Sequence, residues 1–172
     1  MAWKLVNNVS LPGSVQDWVA DTGSLTQRCI NAFGKNYHLK LLSEEWGYPN
    51  LLEQDLLELS PKDTVKIREI FLCNGNTPVV FGHSIFPESI LKNDELNLNT
   101  LGTQSLGRQL FSHPNCHRSD IFVAQITRET ELFQAATKNN AVDLKKLWAR
   151  YSVFSINHSK LMVYEVFFLE PV

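Results

Sequence analysis

Two runs rich in branched and aromatic residues, 64–73 and 79–86, are separated by Asn74-Gly75-Asn76-Thr77-Pro78. Asn and Gly tolerate the positive φ that a tight reversal between paired strands demands, so this segment predicts an antiparallel hairpin. The arrangement recurs at the C-terminus: residues 152–156, a turn at Asn157-His158-Ser159-Lys160, then the apolar run 161–169. Tyr37, Leu39 and Leu41 alternate with His38 and Lys40, as in a strand with one wet face, and residues 121–127 read as one more strand. Two hairpins and two further strands give about six, all reachable by antiparallel pairing.

Helical patterns fall before and between these strands. Ser14 is placed to cap a short helix through Val15, Trp18 and Val19 that ends near Gly23. Ser24-Leu25-Thr26-Gln27 has the form of a capping box, and the helix it opens runs through Leu25, Cys29 and Phe33 to Gly34. Residues 51–59 are leucine-rich and open between helix and packed loop. Pro87 ends a strand, and helical stretches follow through Ile90 and over 106–111. Residues 129–150 read as helix or loop, because Asp143, Leu144, Leu147 and Trp148 stand at helical spacing. The sum predicts a single α+β domain over 1–172, built on an antiparallel sheet of about six strands. No GxGxxG or GxxxxGK[ST] is present, which argues against Rossmann and P-loop folds.

A formal charge of −2, with no local basic cluster, leaves no footprint for nucleic acid or an anionic membrane. The run 161–169 is the longest apolar stretch and is interrupted by Glu165, so no segment is expected to span a bilayer. The residues after Met1 lack the apolar core of a signal peptide. Cys29, Cys73 and Cys116 are far apart and form no CxxC pair, which suits free thiols in a reducing cytoplasm.

Two charges stand out by position. Glu165 is the only charge in the run 161–169, a strand apolar on both faces. Arg68 shares a strand face with Ile70 and Leu72. Buried charges are costly unless partnered. Two readings follow: a structural one, in which Arg68 and Glu165 form an ion pair or each reaches the sheet edge, and a closed pocket whose small polar ligand satisfies both. Ser105 is placed to cap a helix beginning at Leu106, which leaves free amides at a positive helix end. His113, Cys116 and His117 lie close in sequence, but no second ligand pair accompanies them, so a metal site is not expected.

Four segments carry a resemblance. Ile67-Arg68-Glu69-Ile70-Phe71-Leu72-Cys73 resembles the L-R-E-I-L-L-C strand of bacterial chorismate pyruvate-lyases. Leu101-Gly102 followed by Leu106-Gly107-Arg108-Gln109-Leu110-Phe111 is similar to that family's L-G-x-x-x-L-G-R-x-L-F. Leu147-Trp148-Ala149-Arg150-Tyr151-Ser152 resembles its L-W-x-R-x-S, and Tyr164-Glu165-Val166-Phe167 its terminal T-E-L-F. The likeness runs in order from about Trp18 to the C-terminus. It implies an α+β fold with helical flaps over a buried ligand, and a cofactor-free and metal-free elimination of pyruvate from chorismate to give 4-hydroxybenzoate, the ubiquinone precursor. A cytoplasmic location, read from the cysteines and the N-terminus, and a monomeric state complete the expectation.

By the same resemblance Arg68 and Glu165 contact the ligand, Leu106 does so through its backbone, and Leu25 occupies a flap position where the family more often has methionine. Thr103-Gln104-Ser105 departs from a Lys-Thr-Pro-like segment, and residues 129–146 form a longer connection than the family's. Two alternatives stay open. The lyase fold resembles effector-sensing domains of transcription regulators, which carry a DNA-binding helix-turn-helix ahead of the sensor. With the likeness beginning near Trp18, no room for such a domain is expected. A non-catalytic relative acting as an interaction protein is the other alternative, against which stands the retention of both Arg68 and Glu165.

Overall fold

The two hairpins foreseen from sequence form the middle of an eight-stranded antiparallel sheet. The structure, a computed structural model, describes residues 2–93, 95–140 and 144–169. In chain order the elements are β1 (Lys4–Leu5), α1 (Gly13–Val19), α2 (Leu25–Phe33), β2 (Tyr37–Gly47), α3 (Leu51–Leu57), β3 (Val65–Asn74) and β4 (Thr77–Pro87). There follow α4 (Glu88–Asn93), α5 (Leu106–Ser112), β5 (Cys116–Arg118), β6 (Phe122–Thr127), α6 (Glu131–Thr137), β7 (Lys146–Ile156) and β8 (Ser159–Phe167). The sheet runs β1-β6-β7-β8-β4-β3-β2, with β5 also pairing β7. The strands beyond the expected six are the short β1 and β5, whose two and three residues are too few to show a period.

Both hairpins close through two-residue turns, with Gly75 at φ +56° and Asn157 at φ +54°. The sequence reading departs from the structure most between 146 and 150, where β7 replaces the expected helix or loop. Leu147, Ala149, Tyr151 and Val153 are all buried on one strand face, while Arg150, Ser152 and Phe154 are buried on the other. A strand buried on both sides has no polar alternation to separate it from a buried helix. Asp143, part of that reading, lies outside the described residues. The first helix also begins earlier than expected, with Pro12 rather than Ser14 at its N-cap, and its C-cap is Ala20. Residues 51–57 resolve as helix through a full capping box between Asn50 and Glu53.

Cross-strand register sorts the side chains into two layers. On one face a row runs Ile70, Gly82, Glu165, Arg150, Val123, and the adjacent row runs Arg68, Ser84, Val163, Ser152. The other face carries Phe71, Phe81, Ala149 and Val166 against Phe133 and Ala136 of α6. There too, Ile85, Tyr151, Met162 and Tyr164 pack with Leu57 of α3. On the first face, α1 and α2 bring Val15, Val19, Leu25 and Cys29 onto Leu72, Val80 and Phe167. The segment from α4 to α5 brings Ile90, Leu98, Leu101, Leu106 and Leu110 onto Phe86, Phe154 and Leu161. The polar rows therefore lie along the seam between two apolar clusters.

Candidate active site

A cavity of about 60 Å³ opens at that seam, walled by the sheet below and by α2 and α5 above. All four residues singled out from sequence line it: Leu25, Arg68, Leu106 and Glu165. Gly82 forms part of its floor. A Cβ there would stand 2.9 Å from Ile70 Cγ1, so any larger residue would displace Ile70 on the cavity floor. Gly107 serves the roof. A Cβ at that position would come within 3.2 Å of Ser24 Oγ, so glycine permits the close approach of α5 to α2. The two helices are joined by Ser105 Oγ, which donates to Thr26 Oγ1 at 2.8 Å.

Arg68 is 1% exposed. Its Nη2 donates to Gly102 O at 2.8 Å and to Gln104 O at 3.0 Å. The 101–105 loop can present both carbonyls because Gly102 takes φ +52°. Glu44 of the edge strand β2 lies 3.6 Å from Arg68 Nε, too far for a hydrogen bond, and that Nε has no partner among the described residues. Burial pushes the guanidinium below its ordinary pKa, and the Glu44 carboxylate opposes that shift. One buried donor of the guanidinium, Nε, is therefore left without a hydrogen bond, as is Glu44 Oε1 facing it.

Arg68 and Glu165 do not form the ion pair included in one of the two sequence readings. Glu165 instead faces Arg150, its direct cross-strand neighbour, whose Nε donates to Glu165 Oε2 at 2.5 Å. Arg150, 1% exposed, is further satisfied through Nη1 by Val19 O at 3.0 Å and Asp21 O at 2.5 Å, in the segment that ends α1. Arg118 completes the polar lining. Its Nε donates to Ser152 Oγ at 2.9 Å and its Nη1 to Thr22 O at 3.1 Å, while Nη2 lies 3.9 Å from Glu165 Oε2. Burial lowers the Arg118 pKa to about 10, against the opposing charge of Glu165.

Arg150 and Arg118 are the polar residues that sequence reasoning passed over. For Arg150 a signal existed: it is the lone charge between Leu147 and Ile156, as Glu165 is the lone charge in the run 161–169. The helical spacing of Leu144, Leu147 and Trp148 masks it. Arg118 has no such mark, since the three-residue strand holding it becomes visible only through its pairing with Ser155 and Phe154.

Ser24 caps α2 by accepting from Gln27 N at 3.3 Å, which places Leu25 at the first helical position over the cavity. The box is not reciprocal, because Gln27 Nε2 donates to Asn31 Oδ1 instead. Ser105 caps α5 in the same manner by accepting from Arg108 N at 3.1 Å, which leaves the amide of Leu106 without an intrahelical acceptor at the cavity wall. His113 lies apart, with Nε2 3.2 Å from Glu95 Oε2. Among the described residues no three His, Cys, Asp or Glu side chains cluster as a metal site would require, and no helix is long and apolar enough to cross a membrane.

Comparison with known proteins places these features in context. Residues 1–172 match the family described as Chorismate lyase. A relative from Idiomarina loihiensis, named "Probable chorismate pyruvate-lyase", is 33% identical over 171 residues, covering 99% of this chain and 86% of its own. One of the same name from Shewanella frigidimarina is 35% identical over 174 residues, covering 92% and 83%. Among solved structures, the effector domain of PhnF from Mycobacterium smegmatis superposes with a TM-score of 0.62 at 10% identity, covering 86% of this chain and 89% of that one. A GntR-family transcriptional regulator from Enterococcus faecalis gives 0.54 at 12% identity, covering 79% and 93%. At such identities the likeness is one of fold.

Proposed function

The chain belongs to the chorismate lyase family, a family of carbon–oxygen lyases, and on that premise we propose that it converts chorismate into 4-hydroxybenzoate and pyruvate in the cavity between the sheet and helices α2 and α5. The observation that carries the reading is Arg68, a fully buried guanidinium with an unpaired Nε that lines the same small cavity as Glu165.

Chorismate carries a ring carboxylate, a ring hydroxyl and an enolpyruvyl ether on the carbon next to the hydroxyl. Breaking the ring carbon–oxygen bond of the ether leaves that oxygen on the pyruvyl group as its ketone. The hydrogen on the hydroxyl-bearing carbon moves to the enolpyruvyl methylene, making the methyl group of pyruvate, and the ring becomes aromatic. Atoms and electrons balance within the substrate, so the proposed reaction draws on no metal or redox cofactor. What the protein supplies is orientation.

In this proposal Arg68 takes the ring carboxylate in a two-point grip, with the amide of Leu106 sharing it. Glu165 accepts a hydrogen bond from the ring hydroxyl at the other end. Because Arg150 occupies Oε2 of Glu165, the carboxylate is held as a fixed acceptor, and the hydrogen passes directly between substrate atoms. Leu25 closes the roof from α2. The product keeps both the carboxylate and the hydroxyl, so its release limits turnover. Cytoplasmic location, supported by three free cysteines, belongs to the same proposal, as does a monomeric state.

The test is to supply the purified chain with chorismate. One 4-hydroxybenzoate and one pyruvate should form for each chorismate consumed. Chorismate bound without turnover would instead assign the fold the effector-binding role suggested by its regulator-like architecture.

A further inference from the structure

Chorismate is a dianion, and the arrangement above accounts for one of its carboxylates. The other, on the enolpyruvyl group, must also enter a cavity whose walls are largely apolar, and an anion buried there needs its own cation. Three guanidinium groups line the cavity. Arg68 belongs to the ring carboxylate in the proposal above. Arg150 is ion-paired with Glu165 at 2.5 Å and tied through Nη1 to the carbonyls of Val19 and Asp21, so its charge is already met. The third is Arg118.

Arg118 is built as an anchor. Ser152 Oγ and Thr22 O hold two of its nitrogens, and its guanidinium lies 5.3 Å from the Phe154 ring centroid and 5.9 Å from that of Phe111. Its plane is thereby fixed before any ligand arrives. Nη2 makes no hydrogen bond among the described residues, since its nearest carboxylate oxygen, on Glu165, is 3.9 Å away. Arg118 and Phe111 also line an outer groove of about 380 Å³ that begins where the cavity ends. The group therefore stands at the mouth, where the flexible side arm of the substrate would point while the ring lies deep against Arg68.

We propose that Arg118 binds the enolpyruvyl carboxylate of the substrate through Nη2, and so selects chorismate over ring acids that lack this second anion. The inference rests on the lyase reading of the same cavity. Glu165 then sits between Arg150 and Arg118 as the hydroxyl acceptor, and the ether carbon is held between two anchored carboxylates.

The experiment compares chorismate turnover with equilibrium binding of 4-hydroxybenzoate, which has the ring carboxylate and the hydroxyl but no second anion. Wild-type protein that fails to consume chorismate refutes the lyase reading itself, before any variant is made. Given turnover, Arg118→Met keeps the apolar stem on Phe154 and removes the charge. Its kcat/KM for chorismate should fall about 100-fold, while its Kd for 4-hydroxybenzoate stays within about threefold of wild type. Arg118→Lys, which retains a charge but not the fixed plane, should lose about tenfold with the same unchanged product affinity, and it serves if the methionine variant does not fold. Loss of 4-hydroxybenzoate affinity in step with chorismate turnover would make Arg118 a structural residue and overturn the assignment. Near-wild-type turnover in a folded variant of either kind would do the same.

Discussion

Arg68 and Glu165 announce themselves in the sequence for one reason: each is a charge set among apolar neighbours on a strand face, Arg68 beside Ile70 and Leu72 and Glu165 between Val163 and Phe167. That logic found both ends of the cavity but paired them wrongly in one of its two readings, because sequence does not give register. Register places Arg150, not Arg68, beside Glu165. Arg68→Ala should therefore lower kcat/KM at least about 1,000-fold, and Arg68→Lys at least about tenfold, since a point charge cannot reproduce a two-point grip. Steady-state kinetics on folded variants checks this, and near-native efficiency in both would show that Arg68 serves only the 101–105 loop.

For Glu165 the Arg150 contact changes what each substitution removes. Glu165→Gln keeps an oxygen with two lone pairs for Arg150 and the ring hydroxyl, and should retain activity within about 30-fold of wild type. Glu165→Ala leaves a buried guanidinium without its carboxylate, and should lose thermal stability as well as activity. An inactive glutamine variant, together with loss to solvent of deuterium placed on the hydroxyl-bearing carbon, would make Glu165 a base.

Among the elements, strands marked by polar alternation or by a hairpin turn were legible, and the first half of β7, buried on both faces and far from its turn, was not. The consequence is that the helix-or-loop reading of residues up to 150 hides Arg150. The helices over the cavity were legible through their caps, Ser24 and Ser105, although only coordinates show that Ser105 also reaches across to Thr26. This bond ties the two roof elements together, and breaking it should ease opening without disturbing either cap. Thr26→Val is expected to raise the dissociation rate of 4-hydroxybenzoate about fivefold, the effect of one ordinary hydrogen bond. Stopped-flow displacement gives the rate directly. An unchanged rate would mean that the roof opens elsewhere.

At the scale of the whole molecule, the α+β class and the antiparallel sheet followed from the two hairpins. The strand order did not, because β8 lies between β7 and β4 through a long-range pairing that no local pattern encodes. The far face of the sheet holds its own polar pair, Glu69 on β3 and His83 on β4, directly opposite in register, with His83 Nδ1 donating to Glu69 Oε1 at 3.0 Å. That bond is the main cause of a Glu69 pKa below the usual carboxylate range, while burial pulls the other way. Because the folded state favours the ionised form, the stabilisation is full above the ordinary carboxylate pKa and is lost as pH falls through the depressed value. Glu69→Gln should thus cost about 1 kcal/mol near neutral pH and almost nothing in strong acid, as read from denaturant midpoints across pH. A gap that does not close in acid would assign the cost to packing.

The claim on which the rest depends is that one small cavity holds the aromatic ring between Arg68 and Glu165. A crystal structure of the protein with 4-hydroxybenzoate tests it most directly. The ring should lie between the sheet and helices α2 and α5, its carboxylate on Arg68 and the amide of Leu106, and its hydroxyl on Glu165 with Arg150 behind. A ligand bound in the outer groove, or one turned so that its carboxylate meets Arg118, would contradict the account.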